Sequence, residues 1–342
     1  MKVLLTGHHG YLGTVMSAVL TSAGHEVTGL DTDYFVDRVI GPEPDSPSSI
    51  RCDLREVSRE HVEGHDAVVH LAALSNDPLG ALAPEITHEI NHRASTRLAR
   101  LAKDAGVPRF LYASTCSVYG ASDTTGMLDE EAPLAPVTAY ARSKVGVEAD
   151  LTALADEDFS PTMLRNATAF GFSPRLRCDI VLNNLIGHAV LTGTVTVLSD
   201  GTPWRPLVHA RDIAAAFLAT LESEREAVHA QAFNVGHPAN NLTVADIAEV
   251  AADAVPGAGI TITGEHGADP RSYRVSLDKM ADLVPAYVPA WDIPRGAAEL
   301  AEAYTTHGLT THGFEVDHIR LAVLQELVDA GRLDGRDLRW TG

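Results

Sequence analysis

Basic residues are scarce in this chain: Lys and Arg together number 26 against 46 Asp and Glu, for a formal net charge of −20 at pH 7. So acidic a surface repels a polyphosphate backbone, which excludes nucleic acid as the main partner. A single phosphorylated small ligand is still accessible to a few local arginines and backbone amides. Cysteine is scarcer still. Cys52, Cys116 and Cys178 are odd in number and far apart, so no disulfide framework is expected and a reducing, cytoplasmic compartment fits. Long apolar runs are missing too. Val3-Leu4-Leu5 meets a glycine at position 7, too soon for a signal peptide or a spanning helix, and later segments carry charge before reaching membrane-spanning length. A soluble protein with no membrane partner is expected.

What is present can build a large core. The 342 residues are 45% hydrophobic and 21% charged, enough for a large α/β domain and a smaller lobe, with little disorder. Val3-Leu4-Leu5-Thr6 reads as a buried parallel strand, helical periodicity follows from Tyr11 to Ala23, and Gly24 ends that helix. Residues 25–30 form the next strand, with Asp31 at its end. Residues 41–48 are a Pro- and Ser-rich loop before a strand near Ile50. Further strands fall at 67–70, 109–113 and 162–165, and helices at roughly 84–105 and 137–156. This alternation predicts an α/β fold with a doubly wound parallel sheet of Rossmann type. Residues 1–170 are its nucleotide-binding domain, to which a segment around 205–236 returns through a helix at 210–221. Residues 171–204 and 237–342 are expected to form a smaller C-terminal substrate-binding lobe and an extension. The extension is helical around 318–330 and carries no chemistry readable from the sequence.

The turn Gly7-His8-His9-Gly10-Tyr11-Leu12-Gly13 lies between the first strand and the first helix. Glycines there let the backbone approach a pyrophosphate, and the helix N-terminus supplies amide donors and a positive partial charge. Asp31, 24 positions after Gly7, can accept from the adenosine ribose hydroxyls and would repel a 2′-phosphate, which points to NAD rather than NADP. His8 and His9 fill spacer positions near the phosphates, and no ligand pair at metal spacing accompanies them. No metal is expected. Tyr140 and Lys144, four residues apart, share one helix face. An ammonium near a phenol favours the phenolate, which can exchange a proton with a sugar hydroxyl or carbonyl. The hydroxyl-rich stretch Ser114-Thr115-Cys116-Ser117 follows a strand ending at the same sheet edge.

On these motifs the chain resembles an extended short-chain dehydrogenase/reductase of the NAD-dependent epimerase/dehydratase family, which acts on nucleotide sugars. The resemblance covers roughly residues 1–280. Its motifs fall in family order: Gly7, Gly10 and Gly13, then Asp31, Asp53-Leu54, His70 to Ala73, Asn91, Ser114-Thr115 and Tyr140 with Lys144. Arg165, Gly171, Asn183-Asn184, Arg205, Phe233 to Gly236 and Arg271 follow. It implies that Asp53 and Leu54 border the adenine, that Leu71, Ala72 and Ala73 line the cofactor, and that Asn91 supports them. Tyr11 and Leu12 belong to the phosphate turn. Tyr140 would be the acid/base, Lys144 would bind the nicotinamide ribose and tune Tyr140, and Thr115 rather than Ser114 would hold the reacting oxygen. Asn184, Arg205 and Arg271 would grip the diphosphate and nucleotide of the substrate, and a homodimer through the helices at 84–105 and 137–156 is implied.

The departures from the family also matter. Nucleotide-sugar 4,6-dehydratases carry an Asp-Glu pair after the catalytic threonine; Cys116 and Ser117 stand there instead. Cys116 is either an acid/base thiol or a small buried residue. Thr168 replaces a usual substrate-contacting Asn, and Trp204-Arg205-Pro206-Leu207 keeps the arginine of an altered run. Ser75 and Asn76 in the Ser75-Asn76-Asp77-Pro78 loop either position sugar hydroxyls or serve as turn chemistry. His209 reads as a structural histidine. The reading that results is a sugar-nucleotide epimerase acting by transient oxidation, with Tyr140 as acid/base and hydride returned from bound NADH. Its alternatives are a net NAD(H)-dependent nucleotide-sugar oxidoreductase, a dehydratase of unusual regiochemistry using Cys116, and a non-catalytic NAD sensor.

Overall fold

The computed structural model describes residues 1–75, 80, 83–121, 126–265 and 272–341. Asn76 and Arg271 lie outside the described residues. Seven strands form the main sheet: β1 Lys2–Thr6, β2 Glu26–Asp31, β3 Ser48–Arg51, β4 Ala67–His70, β5 Arg109–Thr115, β7 Ser160–Asn166 and β11 Ala232–Val235. Their order is β11-β7-β5-β4-β1-β2-β3, and every pairing is parallel. The apolar run of β1 explains its central place. Val3 and Leu5 face one core, with Met16 and Leu20 of the helix Tyr11–Ser22 and Phe217 of the helix Ala210–Glu222. Leu4 faces the other, with Leu98 of the helix Ser95–Asp104 and Val147 of the helix Ala139–Leu154. A strand buried on both faces has no polar side to show.

A parallel sheet brings the carboxyl ends of its strands to one edge. Thr6 pairs with His70 and Thr115 with Asn166 in register, so the turns leaving β1, β4 and β5 adjoin. The order reverses at β1, with β2 and β4 on opposite sides of it, and a crevice opens there.

The expected helix over 84–105 is present with one irregularity. Pro84–His88 and Ser95–Asp104 are α-helical, while Glu89–Ala94 is a π-helical segment. Within it Asn91 is buried and makes two hydrogen bonds to Leu74.

A second body lies beyond the edge. The short strands β8 Thr168–Phe170, β10 Trp204–His209 and β12 Asn241–Thr243 form one small sheet, β9 Thr194–Val197 pairs with β13 Gly259–Ile262, and β6 Met127–Leu128 pairs with β14 Arg274–Val275. The core of the first two gathers Leu182, Ile186, Val195, Ile247, Leu300 and Tyr304. The segment after residue 317 behaves differently. Its helix Arg320–Asp329 packs through Val323, Leu324 and Leu327 against Leu74, Ile90, Tyr34 and Phe35 of the main domain, not against the lobe core. Among the described residues, no helix is long and apolar enough to cross a membrane.

Candidate active site

One continuous cavity of about 680 Å³ runs along the strand ends, within the usual range for ligand pockets. Its floor is the glycine turn. Gly7 has φ +77°, and its amide donates to the Leu30 carbonyl at 2.8 Å. A Cβ there would lie 2.8 Å from the Ala72 amide nitrogen, and one on Gly13 would lie 2.0 Å from the Gly7 carbonyl oxygen. These glycines are therefore required for close backbone approach. Gly10 caps the helix Tyr11–Ser22 with no side chain over its N-terminus, so the first amides of that helix face the cavity.

Asp31 lines the cavity at the end of β2. Its two oxygens accept the His9 amide at 3.0 Å and the Asp33 amide at 2.9 Å, which holds the carboxylate in place. Burial raises its pKa above the usual carboxylate value, and the two amides oppose that rise. Asp53, Leu54 and Cys52 form the neighbouring wall. Arg55 clasps Asp53 through Nε at 2.9 Å and Nη2 at 2.5 Å. Leu71, Ala72 and Ala73 line the opposite wall. Asn91 is not on the surface of the cavity; it braces that wall through both backbone groups of Leu74, at 2.7 and 3.0 Å.

At the far end, Thr115, Tyr140 and Lys144 meet. Thr138 caps the helix Ala139–Leu154 by accepting the Ala141 amide at 3.1 Å, which starts the helix one residue before Tyr140. Lys144 lies one turn on and is buried. Its Nζ donates to the Ala113 carbonyl at 2.6 Å and sits 4.6 Å from the Tyr112 ring and 5.6 Å from the Tyr140 ring centroid. Burial pushes its pKa down to about 7, with Glu148 pulling the other way. Ser114 donates its hydroxyl to the buried Glu148, whereas among the described residues the Thr115 hydroxyl pairs with Ser117 and faces the cavity.

The sequence profile of the NAD dependent epimerase/dehydratase family matches residues 3–236. The chain belongs to the NAD-dependent epimerase/dehydratase family. A UDP-glucose 4-epimerase of Corynebacterium glutamicum is 30% identical over 251 residues, covering 69% of this chain and 75% of that one. MoeE5, solved in complex with UDP-glucuronic acid and NAD, superposes with a TM-score of 0.78 at 26% identity, covering 90% of this chain and 100% of that one. TunA, described as an NAD-dependent NDP-hexosamine 5,6-dehydratase, shares the fold with a TM-score of 0.79 at 22% identity, covering 89% and 98%.

The family's cofactor is NAD, and the residues present fit it. The glycine cradle leaves no room for a side chain, and a buried arginine, Arg320, lines the same cavity with one buried donor that has no hydrogen-bond partner among the described residues. Among the described residues, no group of three or more His, Cys, Asp or Glu converges as a metal site. Of the expected substrate contacts, Ser75, Thr168, Asn184 and Arg205 line the cavity.

Of the two readings of Cys116, the catalytic thiol is overturned and the small buried residue is what the structure shows. Cys116 is not on the cavity: it is 1% exposed, its Sγ lies 3.1 Å from the Arg165 carbonyl, and burial pushes its thiol pKa far up. A residue directly after the strand end can turn either way, and this one points into the core. The imidazoles of His8 and His9 turn away from the phosphate turn. His8 fills the space over Gly29 and meets Ser49 at 2.9 Å, and His9 pairs with Asp33 at 2.7 Å. His209 is structural, buried between Phe170 and Trp291 and paired with Glu299 at 2.7 Å.

The structure also adds residues that the sequence reading passed over. Arg177 and Asp179 form a bidentate pair on the cavity wall, at 2.9 and 3.1 Å, and Arg177 also reaches Ser75 at 3.1 Å. The arginine-rich stretch after Gly171 was the available signal. Arg320 and Leu324 had none, because Phe35, Leu74 and Ile90, which they join, lie more than 200 positions away in sequence.

Proposed function

We propose that the protein is a sugar-nucleotide epimerase that oxidises and re-reduces one sugar carbon within a single binding event. NAD, when bound along the cradle, would supply the hydride acceptor for that carbon and the donor that restores it. Tyr140 takes the proton of the sugar hydroxyl and later gives it back. Lys144, fixed by the Ala113 carbonyl, places its ammonium where it favours the phenolate and can donate to a ribose hydroxyl. Thr115 holds the reacting oxygen beside Tyr140. Asn184 and Arg205, at the lobe side of the cavity, are placed to grip the substrate's diphosphate.

The observation that carries this reading over dehydration is the carboxylate inventory of the cavity. Among the described residues, the only carboxylates lining it are Asp31 and Asp53 at the cofactor end and Asp179, which is paired with Arg177. Eliminating water needs an acid and a base beyond the tyrosine, and the buried Cys116 and the hydroxyl of Ser117 supply neither. The test is incubation of the purified protein with UDP-, GDP-, CDP- and dTDP-sugars under proton NMR. An inverted sugar with no added NADH supports the proposal. A dehydrated keto-sugar, or stoichiometric consumption of NADH, sinks it.

A further inference from the structure

We propose that the segment 318–341 roofs the cofactor groove and that Arg320 from this segment holds the pyrophosphate of the dinucleotide. The inference rests on the NAD dependence of the family and not on which reaction is catalysed. The segment lies beyond the stretch matched by the family profile.

The roof spans both walls of the crevice. Tyr34 and Phe35 follow β2, while Leu74 and Ile90 stand on the β4 side, and Val323, Leu324 and Leu327 bury themselves among all four. Polar fastenings secure the adenosine side. Trp340 Nε1 donates to the Thr32 carbonyl at 2.7 Å, Tyr34 donates its hydroxyl to the Leu338 carbonyl, and Arg55 Nη1 donates to the Asp337 carbonyl at 2.7 Å. Arg38, pairing with Asp317 before the helix at 2.5 Å and with Glu326 in its second turn at 2.7 Å, ties the helix down. A dinucleotide in this groove would be covered by packed side chains instead of solvent.

Arg320 is the polar feature of the roof's inner face. It is 5% exposed and lines the cavity, with its guanidinium 4.2 Å over the Phe35 ring. Nη2 donates to the Arg175 carbonyl at 3.0 Å, but Nη1 has no hydrogen-bond partner among the described residues. A buried cation with an idle donor is unfavourable unless an anion completes it. The nearby acids are already committed: Asp179 to Arg177, and Asp31 to two backbone amides. Position decides which anion. Arg175, whose carbonyl anchors Arg320, reaches Thr14 Oγ1 at 3.3 Å in the first turn of the helix that opens on the glycine cradle. Arg320 thus lines the same cavity as Asp31, within its electrostatic reach at the ribose end, and is linked through Arg175 to the first turn of the phosphate-facing helix. A pyrophosphate there would be gripped from below by amides and from above by a guanidinium, whose planar fork suits phosphate oxygens.

The test is made on stripped full-length protein, with NAD, ADP and adenosine as probes in calorimetric titrations and with bound NAD assayed after gel filtration. Arg320→Met is expected to weaken NAD and ADP by about ten- to hundred-fold, the loss of a charge-assisted contact, while adenosine, which lacks phosphate, changes by less than about twofold. The unfolding temperature of the stripped protein should hold or rise, because an uncompensated buried charge is gone. Arg320→Gln, which keeps polarity without charge, is read the same way if the Met variant does not fold. Unchanged NAD affinity overturns the proposal. So does an equal loss for adenosine, which would mark Arg320 as packing alone.

Discussion

Gly13→Ala is the sharpest probe of the cofactor cradle, because the structure fixes what one methyl group meets. The added Cβ would lie 2.0 Å from the Gly7 carbonyl oxygen, 2.6 Å from the His8 Cα and 2.7 Å from the Gly7 carbonyl carbon. All three are backbone atoms, so no rotamer change relieves the contact. Restoring an ordinary separation of about 3.4 Å requires the turn to move by more than an ångström. Gly7 has little freedom to move, since its amide is bonded to Leu30 at 2.8 Å and its carbonyl accepts the Gly10 amide at 3.0 Å. On its other side the Ala72 backbone would lie within 2.8 Å of a Cβ added at Gly7. Overpacking of this kind costs about 1–3 kcal/mol, which for a chain of this size lowers the unfolding temperature by about 1–4 °C. Cofactor binding should suffer more. Displacing the amides that face the pyrophosphate removes charge-assisted hydrogen bonds and weakens NAD about ten- to hundred-fold. Gly24→Ala is the control: φ there is +87° with open space around the Cβ, so it should lose about 1 kcal/mol of stability and no NAD affinity. Scanning calorimetry and NAD titration of both variants read the two effects separately. A Gly13→Ala protein with wild-type NAD affinity would refute the cradle argument.

Three other perturbations test the catalytic end. Tyr140→Phe should lower turnover by about 10²–10⁴-fold while NAD stays bound, and a variant keeping half the wild-type rate would remove Tyr140 as the acid/base. Cys116→Ala should leave turnover within about threefold, since its thiol faces the core; abolished turnover would revive an elimination in which that thiol takes part. Lys144 carries a pH signature. Its folded pKa of about 7 lies below the unfolded value of 10.5, so between those limits the unfolded chain holds the extra proton and stability from this group rises with pH. The stripped Lys144→Met protein should therefore be more favoured over wild type near pH 7 than near pH 10. Unfolding temperatures whose difference does not change with pH would contradict that.

Legibility in the sequence followed the range of the interactions. Thr115, Tyr140 and Lys144 could be brought together because a strand end and a helix face are local devices, and a parallel sheet delivers them to the same edge. Asn91 was legible as a supporting residue, but not how it supports. The π-helical turn that presents it to Leu74 is not encoded in the local pattern.

The sequence by itself determined the glycine turn, the acid at the end of β2 and the alternation that builds the sheet, since each depends on residues within about thirty positions of one another. Only the tertiary structure decided which way Cys116 faces, that Arg177 is matched to Asp179 on the cavity wall, and that the helix Arg320–Asp329 leaves the lobe to cover the cofactor groove. The physical reason is desolvation. Whether a thiol, a carboxylate or a guanidinium is charged, paired or idle depends on what the rest of the chain packs around it, and residues far apart in sequence make that environment. Around the phosphate turn the chain's local pattern needed only backbone geometry. Above that turn, the roof and its arginine exist only once the fold has closed.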